Sequence, residues 1–383
     1  MKNLMSKWFV FGLGLVATTA LAQKEQWLQY HTSREGRSYH YVDLLTNPPP
    51  NVALPKLNAK PFFARWTTPM DPSGGRWLCL DRSRKSGPYD LLYIDGKGDG
   101  RLDNKTAITT TRMDQYTAYF EPARMVFKGE DGPITYHVVL RFMKYEGGPT
   151  YLLASSGGYY AGEIDFGGKK RHLELIDGNV NGTFNDQAAE VNDTDRIEVQ
   201  NDKVGERYLG KLLEVDSQFY RIEVARDGAF VKLQKTEDLE MGKVRVPEAI
   251  SKFVAFGENG HFVRQPLKGE LTLPGGKYRI LEWVINRKDN RGAAWDLTGS
   301  NLKESANFEV TAGQPATVTV GEPIKAAVRA NEFPNRVDFN LSFLGRHEET
   351  IQIRKGEQNP PGPRLTIANL DGTYRSTNTF EFG

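Results

Sequence analysis

PYDLLYIDGKGDGRLDN at 88–104 and KRHLELIDGNVNGTFND at 170–186 are two versions of one pattern. In each, an apolar run ends in Ile-Asp-Gly, a second Gly follows four residues after the first, and a bulky apolar residue stands two further on. Asp95 aligns with Asp177, Gly100 with Gly182 and Leu102 with Phe184. Leu91–Ile94 and Leu173–Ile176 read as strands. Asp-Gly and Asn-Gly after them tolerate positive φ and are the strongest short hairpin signals.

The same texture continues along the chain. Tyr116–Phe120, His137–Phe142, Thr150–Ala154, Arg196–Val199, Phe219–Val224 and Phe230–Leu233 are β-branched or aromatic runs between turn signals. Asp227-Gly228 and Asn259-Gly260 each separate two such runs, as hairpin turns do. Helical periodicity is scarce; Val246–Phe253 fits a short helix or the start of a strand. The fold class is therefore all-β. Prolines at 48–50 and Pro55 mark 23–59 as an irregular leading segment, and 60–245 holds the duplicated β-sheet unit, with Gly74-Gly75 and Gly157-Gly158 opening its two copies.

The loops carry the clearest chemistry. Calcium takes oxygen ligands from carboxylates, amides, backbone carbonyls and water, and a Gly permits the sharp bend that turns a carbonyl toward the ion. Asp177, Asn179 and Asn181 stand at alternate positions, Gly182 follows, and Thr183, Asn185 and Asp186 come next, with Phe184 as an apolar anchor. Over about ten residues this resembles the calcium loops of EF-hand and dockerin-type proteins. The resemblance implies a structural calcium ion held by Asp177, Asn179, Asn181, Thr183 (through its carbonyl), Asn185 and Asp186. In the first loop it implies Asp95, Asp99, Arg101 (at the position of Thr183) and Asp103, with Asn104 next. Both loops depart from the family. The twelfth position, a bidentate carboxylate there, is Ala188, so Asp186, Glu190 or Asp193 would have to substitute. Lys97 occupies the place of Asn179, and the flanking helices are missing. So few carboxylates imply weak binding, near ~0.1–1 mM. The competing reading of each loop is a plain β-hairpin turn.

The N-terminus has the order of a secretory leader. Lys2 and Lys7 precede an apolar stretch from Trp8 to Val16, and Ala20-Leu21-Ala22 forms a small-x-small site before Gln23. The expected leader is 1–22, and the expected location is secreted or periplasmic. No later stretch is apolar for long enough to span a bilayer. Removing Lys2 and Lys7 from the 50 basic residues leaves 48, against 48 acidic ones, a formally neutral chain. General electrostatic binding to nucleic acid needs a basic surface, which this composition does not supply. Cys79 is the only cysteine, so an intrachain disulfide is impossible, and Trp77-Leu78-Cys79-Leu80 marks it as a buried small apolar residue.

From about 250 the texture changes. LTLPGGKYRILEW at 271–283 is followed by FEVTAGQPATVTVGEP at 308–323. Leu273, Pro274, Gly276 and Tyr278 match one turn, and Val310, Ala312 and Gly313 another, of the immunoglobulin-like or prealbumin-like modules that include carboxypeptidase regulatory-like domains. This stretch resembles them, which implies an Ig-like β-sandwich over 246–323. Residues 324–383 supply further strands at Arg336–Leu344, Thr350–Arg354, Pro363–Ala368 and Thr377–Phe382 and read as a C-terminal β module or a second sandwich half. As a whole the chain resembles uncharacterised secreted proteins of environmental bacteria.

Catalytic signatures are absent. The chain has no Gly-x-Ser-x-Gly, no His-Glu-x-x-His and no phosphate-cradling Gly-Lys-Ser/Thr loop. Ser300 and Lys303 have a Ser-x-x-Lys spacing without its companion motifs. His31 and His40, with Asp43, form a weak zinc pattern across a short hairpin. Trp27, Trp66, Trp77, Trp283, Trp295 and sixteen tyrosines are either core filling or exposed platforms for a ligand. Tyr159 and Tyr160 are adjacent, so they face opposite sides of a strand. Three functions follow, the third of them a purely structural envelope component with flat surfaces and no cleft. The first is a non-catalytic secreted protein with structural calcium loops that binds a glycan or protein outside the cell. The second is an extracellular hydrolase whose carboxylates converge from distant positions, recognisable by a cleft lined with two acids away from the Asp-Gly loops.

Overall fold

The computed structural model describes residues 24–381 other than 59, 104 and 106. The leader, the cut before Gln23, Asn104, Phe382 and Gly383 lie outside the described residues. The chain is all-β as expected, with helix limited to single 3-10 turns such as Val191–Asp193 and Glu304–Ala306. Among the described residues, no helix is long and apolar enough to cross a membrane.

The first body starts from two bent strands. Glu25–Trp27 and Gln29–Thr32 meet at Leu28, and His40–Val42 and Leu44–Leu45 meet at Asp43. The Asp43 bend closes a sheet. Phe62–Thr67, Gly75–Asp81, Leu91–Ile94, Ile108–Met113, Thr117–Phe120, Pro133–Lys144 and Thr150–Ser156 pair in that order. His40–Val42 then pairs with the last of them, and Leu44–Leu45 with the first. The result is nearly a closed barrel, which hides the strand edges. The Leu28 bend joins two further sheets. Gln29–Thr32 borders a five-stranded sheet through Gly158–Asp165, and Glu25–Trp27 borders a four-stranded sheet through Phe230–Thr236. The leading segment is thus not irregular up to residue 45. Its strands are two to four residues long and mostly polar, too short to show alternation, and their neighbours fix them.

One hydrophobic core spans this body from Leu28 to Val231. At its centre Trp66 stacks on Tyr136 with ring centroids 5.6 Å apart, and Phe184 stands edge-on to both Tyr136 and Tyr160. The duplication is visible as topology. Gly75–Asp81 pairs with Leu91–Ile94, and Gly158–Asp165 with Lys170–Ile176. In each copy the second strand ends in the Asp-Gly loop, and the next strand, Ile108–Met113 or Arg196–Val199, returns beside it. Cys79 is fully buried beside Phe63 and Tyr93, and burial pushes its thiol up to about 12.

The second body is β-sandwich-like. Met241–Arg245, Glu270–Pro274 and Ala316–Thr317 form one sheet; Gly260–Arg264, Ile250–Gly257, Gly276–Lys288, Ala294–Ser300 and Thr350–Lys355 run side by side in the other. Val246–Phe253 therefore resolves as strand from Ile250 onward. Phe253, Phe262, Leu273, Tyr278, Trp283 and Val310 fill the core. The two turn motifs meet: Gly276 pairs with Val310, and the Tyr278 hydroxyl donates to the Pro274 carbonyl at 2.8 Å.

Two expected divisions move. The break at 245/246 falls inside the second core, which already includes Val244. The break at 323/324 cuts one sheet, because Thr350–Lys355 pairs with Ala294–Ser300 and Ile351 packs in the same core. The remaining C-terminal strands form two hairpins, Lys325–Phe333 with Arg336–Leu344 and Arg364–Ala368 with Arg375–Thr379. The first of these strands is exposed throughout. A run of alternating strand residues reads the same whether or not a second sheet covers it. The two bodies join where Lys211 and Leu212 donate backbone N–H to the carbonyls of Glu258 and Asn259.

Candidate functional site

Both Asp-Gly loops hang from the ends of paired strands, and their backbones match. Gly98 and Val180 stand at aligned positions with φ of 72° and 57°; Gly100 and Gly182 follow with 73° and 91°. In each loop the leading aspartate is the organiser. Asp95 accepts N–H bonds from Gly98 at 2.7 Å and from Asp99 and Gly100 at 3.0 Å. Asp177 accepts from Asn181 at 3.2 Å and Gly182 at 2.7 Å.

Their surroundings differ. In the first loop Asp99 turns back to the Arg101 N–H and Asp103 to the Lys105 N–H, while Lys97 and Arg101 are exposed. Asp95, Asp99 and Asp103 each accept backbone N–H groups of the loop. It also has a cation of its own: the buried Arg76 lies against Gly98, bonds the Val126 carbonyl and pairs with Asp71 at 2.7 Å. Burial raises the Asp95 carboxyl above its ordinary value, and the bound N–H groups and Arg76 pull it back.

The second loop is sunk into the core. Asp177 is fully buried and accepts the Tyr136 hydroxyl at 2.7 Å. The Trp66 indole N–H holds the Val180 carbonyl at 2.8 Å, which fixes a β-branched residue in the left-handed region. Asn179, Asn181 and Thr183 converge on Asp186: Nδ2 at 3.1 Å, Nδ2 at 2.9 Å and Oγ1 at 2.6 Å all donate to its Oδ2. Asn185 is exposed. Asp195, unforeseen in the sequence, closes the loop by accepting from Gly178 at 3.0 Å and Asp186 at 2.8 Å. Three aspartates thus share one small volume, and the groups that bond to them are neutral. Burial pushes Asp177 up to about 7, against the pull of the Tyr136 hydroxyl and the loop N–H groups. Burial, then repulsion from Asp177 and Asp186, holds Asp195 well above the usual carboxylate range. Among the described residues no three His, Cys, Asp or Glu side chains gather as a ready metal cluster; the convergence at Asp186 is of one carboxylate with amides and a hydroxyl.

The histidine pair does not form. His31 stacks on Tyr159, and His40 lies 3.4 Å from the Gly178 carbonyl on a different strand. Tyr160 is buried and Tyr159 is not, as adjacency required. Trp66 and Trp283 are buried with their indole N–H groups bonded, the latter to Glu349 at 3.0 Å.

A second feature lies on the barrel's outer face. Tyr39, Tyr41, Tyr151, Tyr145 and Tyr116 form a continuous row with successive centroids 6.1, 5.5, 6.4 and 5.2 Å apart. Tyr39 and Tyr41 are 63% and 65% exposed. The row crosses neighbouring strands and strand ends, so no local sequence pattern announces it. The only sequence trace is Tyr39 and Tyr41 at alternate positions, which puts them on one face. At its Tyr145–Tyr116 end the row borders a pocket of about 360 Å³ lined also by Arg82, Asp114, Gln115, Lys144 and Glu146.

No protein-family model, curated protein or solved structure matches this chain.

Proposed function

We propose that this is a secreted, non-catalytic β protein that binds a glycan or protein ligand outside the cell and uses calcium at its second Asp-Gly loop as a structural clamp. The exposed tyrosine row carries the binding reading. Four exposed rings, linked through the half-buried Tyr145, present in one line apolar area that a protein acting alone would gain by burying. Tyrosine pairs a large apolar face with a polar hydroxyl, which suits recognition of a wet ligand.

The donor set of the second loop supports the calcium reading. Ligands held about 2.3–2.6 Å from one ion lie about 3 Å from each other, which is the spacing of Asn179, Asn181 and Thr183 around Asp186. A half-turn of an asparagine amide exchanges nitrogen for oxygen at the same place. A cation there would also offset the repulsion among Asp177, Asp186 and Asp195. The first loop, with Arg76 already beside it, has less need of one.

The hydrolase reading has weaker support. Asp114 and Glu146 share the pocket, but N–H bonds from Tyr116 and Thr117 hold Asp114 below the usual carboxylate range, the wrong direction for a proton donor. Among the described residues the carboxyls pushed up are Asp95, Asp177 and Asp195, all bonded to loop backbone.

A screen of the exported protein on glycan and peptide arrays, followed by mass spectrometry of each bound ligand, tests the function. Retention of an unaltered ligand is expected. Cleavage of a bound ligand would replace this reading with the hydrolase. An intact mass starting at Gln23 is expected for the exported chain, and a mass retaining residues 1–22 contradicts secretion by a cleaved leader.

A further inference from the structure

Resting on the ligand-binding reading, we infer that the tyrosine row and its terminal pocket form one site for a neutral, hydroxyl-rich polysaccharide chain. The chain would lie across Tyr39, Tyr41, Tyr151 and Tyr145, with one end seated in the pocket beside Tyr116.

The shape comes first. The row crosses the strands rather than following one: Tyr41 lies on His40–Val42, Tyr151 on the neighbouring Thr150–Ser156, Tyr145 just past Pro133–Lys144, and Tyr116 at the start of Thr117–Phe120. Each ring is set by its backbone. Tyr41 points outward because His40 and Val42 turn inward, and Tyr151 because Leu152 is fully buried. Tyr145 sits in a turn closed by its N–H to the Pro149 carbonyl, and Lys144 donates to the Tyr116 carbonyl. The platform is therefore built in advance, and binding need order few side chains. Tyr41 and Tyr151 lie on two strands that pair with each other here, so the row offers side chains rather than a strand edge.

Charge then selects the ligand. The pocket pairs two cations, Arg82 and Lys144, with two carboxylates, Asp114 and Glu146, and adds the amide of Gln115. A nucleic acid also stacks on aromatic rows, but it needs a cationic groove along its backbone; here the charges balance. An uncharged polyol fits both halves: its C–H faces lie on tyrosine rings, and its hydroxyls donate to carboxylates and accept from amide, lysine and arginine. The pocket holds free hydrogen-bonding capacity for this. Its Lys144 and Glu146 are exposed, and the Arg82 guanidinium lies 4.2 Å from the Tyr89 ring centroid. Gln115 Nε2 bonds the Tyr116 hydroxyl at 2.7 Å, which ties the last ring of the row to the pocket's polar wall. At about 360 Å³ the pocket lies in the roughly 300–1,000 Å³ range of small-ligand sites.

Calorimetric titration with cellohexaose, xylohexaose, mannohexaose and chitohexaose tests this, with oligothymidylate as a charged stacking probe. At least one hexasaccharide should bind, and more tightly than its own disaccharide. Tyr41→Ala, Tyr151→Ala and Tyr145→Ala should each weaken it by about 2- to 10-fold, and Tyr41→Phe should restore most of the loss. Trp27→Ala removes an aromatic that is 65% exposed but outside the row, and should change nothing. Unchanged melting curves of these surface variants show that folding is intact. Hexasaccharide binding that ignores the tyrosine changes, or oligothymidylate binding tighter than every sugar, would overturn the site. So would absence of hexasaccharide binding at millimolar concentration; retention of a peptide on the arrays would then leave the broader binding reading standing.

Discussion

The two Asp-Gly loops share a backbone and differ in what surrounds it. Each leading aspartate ties up loop N–H groups, and the same two positions adopt positive φ. The first loop lies at the surface, uses Gly98 where the left-handed conformation is needed, and rests on Arg76. The second is buried, holds Val180 in that conformation, and sets Asp177, Asp186 and Asp195 together among neutral donors. A shared motif therefore specifies a turn. Whether the turn is also a cation site depends on residues that arrive from elsewhere in the chain.

The largest expected difference is in stability. Asp177→Ala strands the buried Tyr136 hydroxyl and two loop N–H groups, and should cost roughly 3–5 kcal/mol. Asp95→Ala releases N–H groups that water can reach, and should cost roughly 1–2 kcal/mol. Urea unfolding of the two variants checks this; equal losses would mean that depth does not separate the loops.

A change of pH separates the loops from the joint between the bodies. His261 Nδ1 accepts the Tyr208 N–H at 3.3 Å, and burial, with Arg207 and Lys252 adding to it, pushes the imidazole down to about 4. Unfolded, it titrates near ~6.5. Between those values the unfolded chain holds the proton and the folded one does not, so the His261 contribution to stability falls as pH drops from about 6.5 to about 4, by at most about 3 kcal/mol, while Asp177, raised to about 7, shifts stability the other way over the same range. His261→Gln should remove that part of the decline in unfolding measured at pH 7 and pH 4.5. The loop variants should keep it, and a decline identical in His261→Gln would assign it elsewhere.

Smaller still is the effect of closing space at the second glycine. A Cβ at Gly182 meets Thr68 Oγ1 at 3.1 Å and Trp66 at 3.3 Å, whereas at Gly100 it meets only the Asn51 carbonyl at 3.6 Å. Both substitutions carry the left-handed penalty of about 1 kcal/mol. Gly182→Ala should exceed Gly100→Ala by a further ~1 kcal/mol from crowding, and the reverse order in thermal melts would contradict the packing described here.

Much of the fold was legible. Arg196–Val199 and Arg336–Leu344 are strands with the expected bounds, and Asp227-Gly228 and Asn259-Gly260 are hairpin turns. The leading strands were not, because two to four residues are too few to show a period and gain their pairing only from distant partners. Closure at Asp43 was invisible for the same reason: it is a property of two edges far apart in sequence. At the site, the clustering of Asn179, Asn181, Thr183 and Asp186 is local and was readable. Tyr136, Trp66 and Asp195 come from other strands or further along the chain, and so does every step of the tyrosine row beyond Tyr39 and Tyr41. Lys97 and Ala188 mark in the sequence where the loops depart from the calcium pattern, while burial, Arg76 and Asp195 separate one loop from the other only in the structure.

Calcium-dependent melting tests the central claim most directly. With free calcium ~100-fold above its dissociation constant, an ion that binds only the folded second loop adds roughly 2.7 kcal/mol, seen as a melting transition several degrees higher than in chelator. The account predicts that this gain persists in Asp95→Ala and Asp99→Ala and disappears in Asp177→Ala and Asp186→Ala. Identical curves for the unaltered protein in millimolar calcium and in chelator would contradict it, and both loops would then be hairpin turns alone.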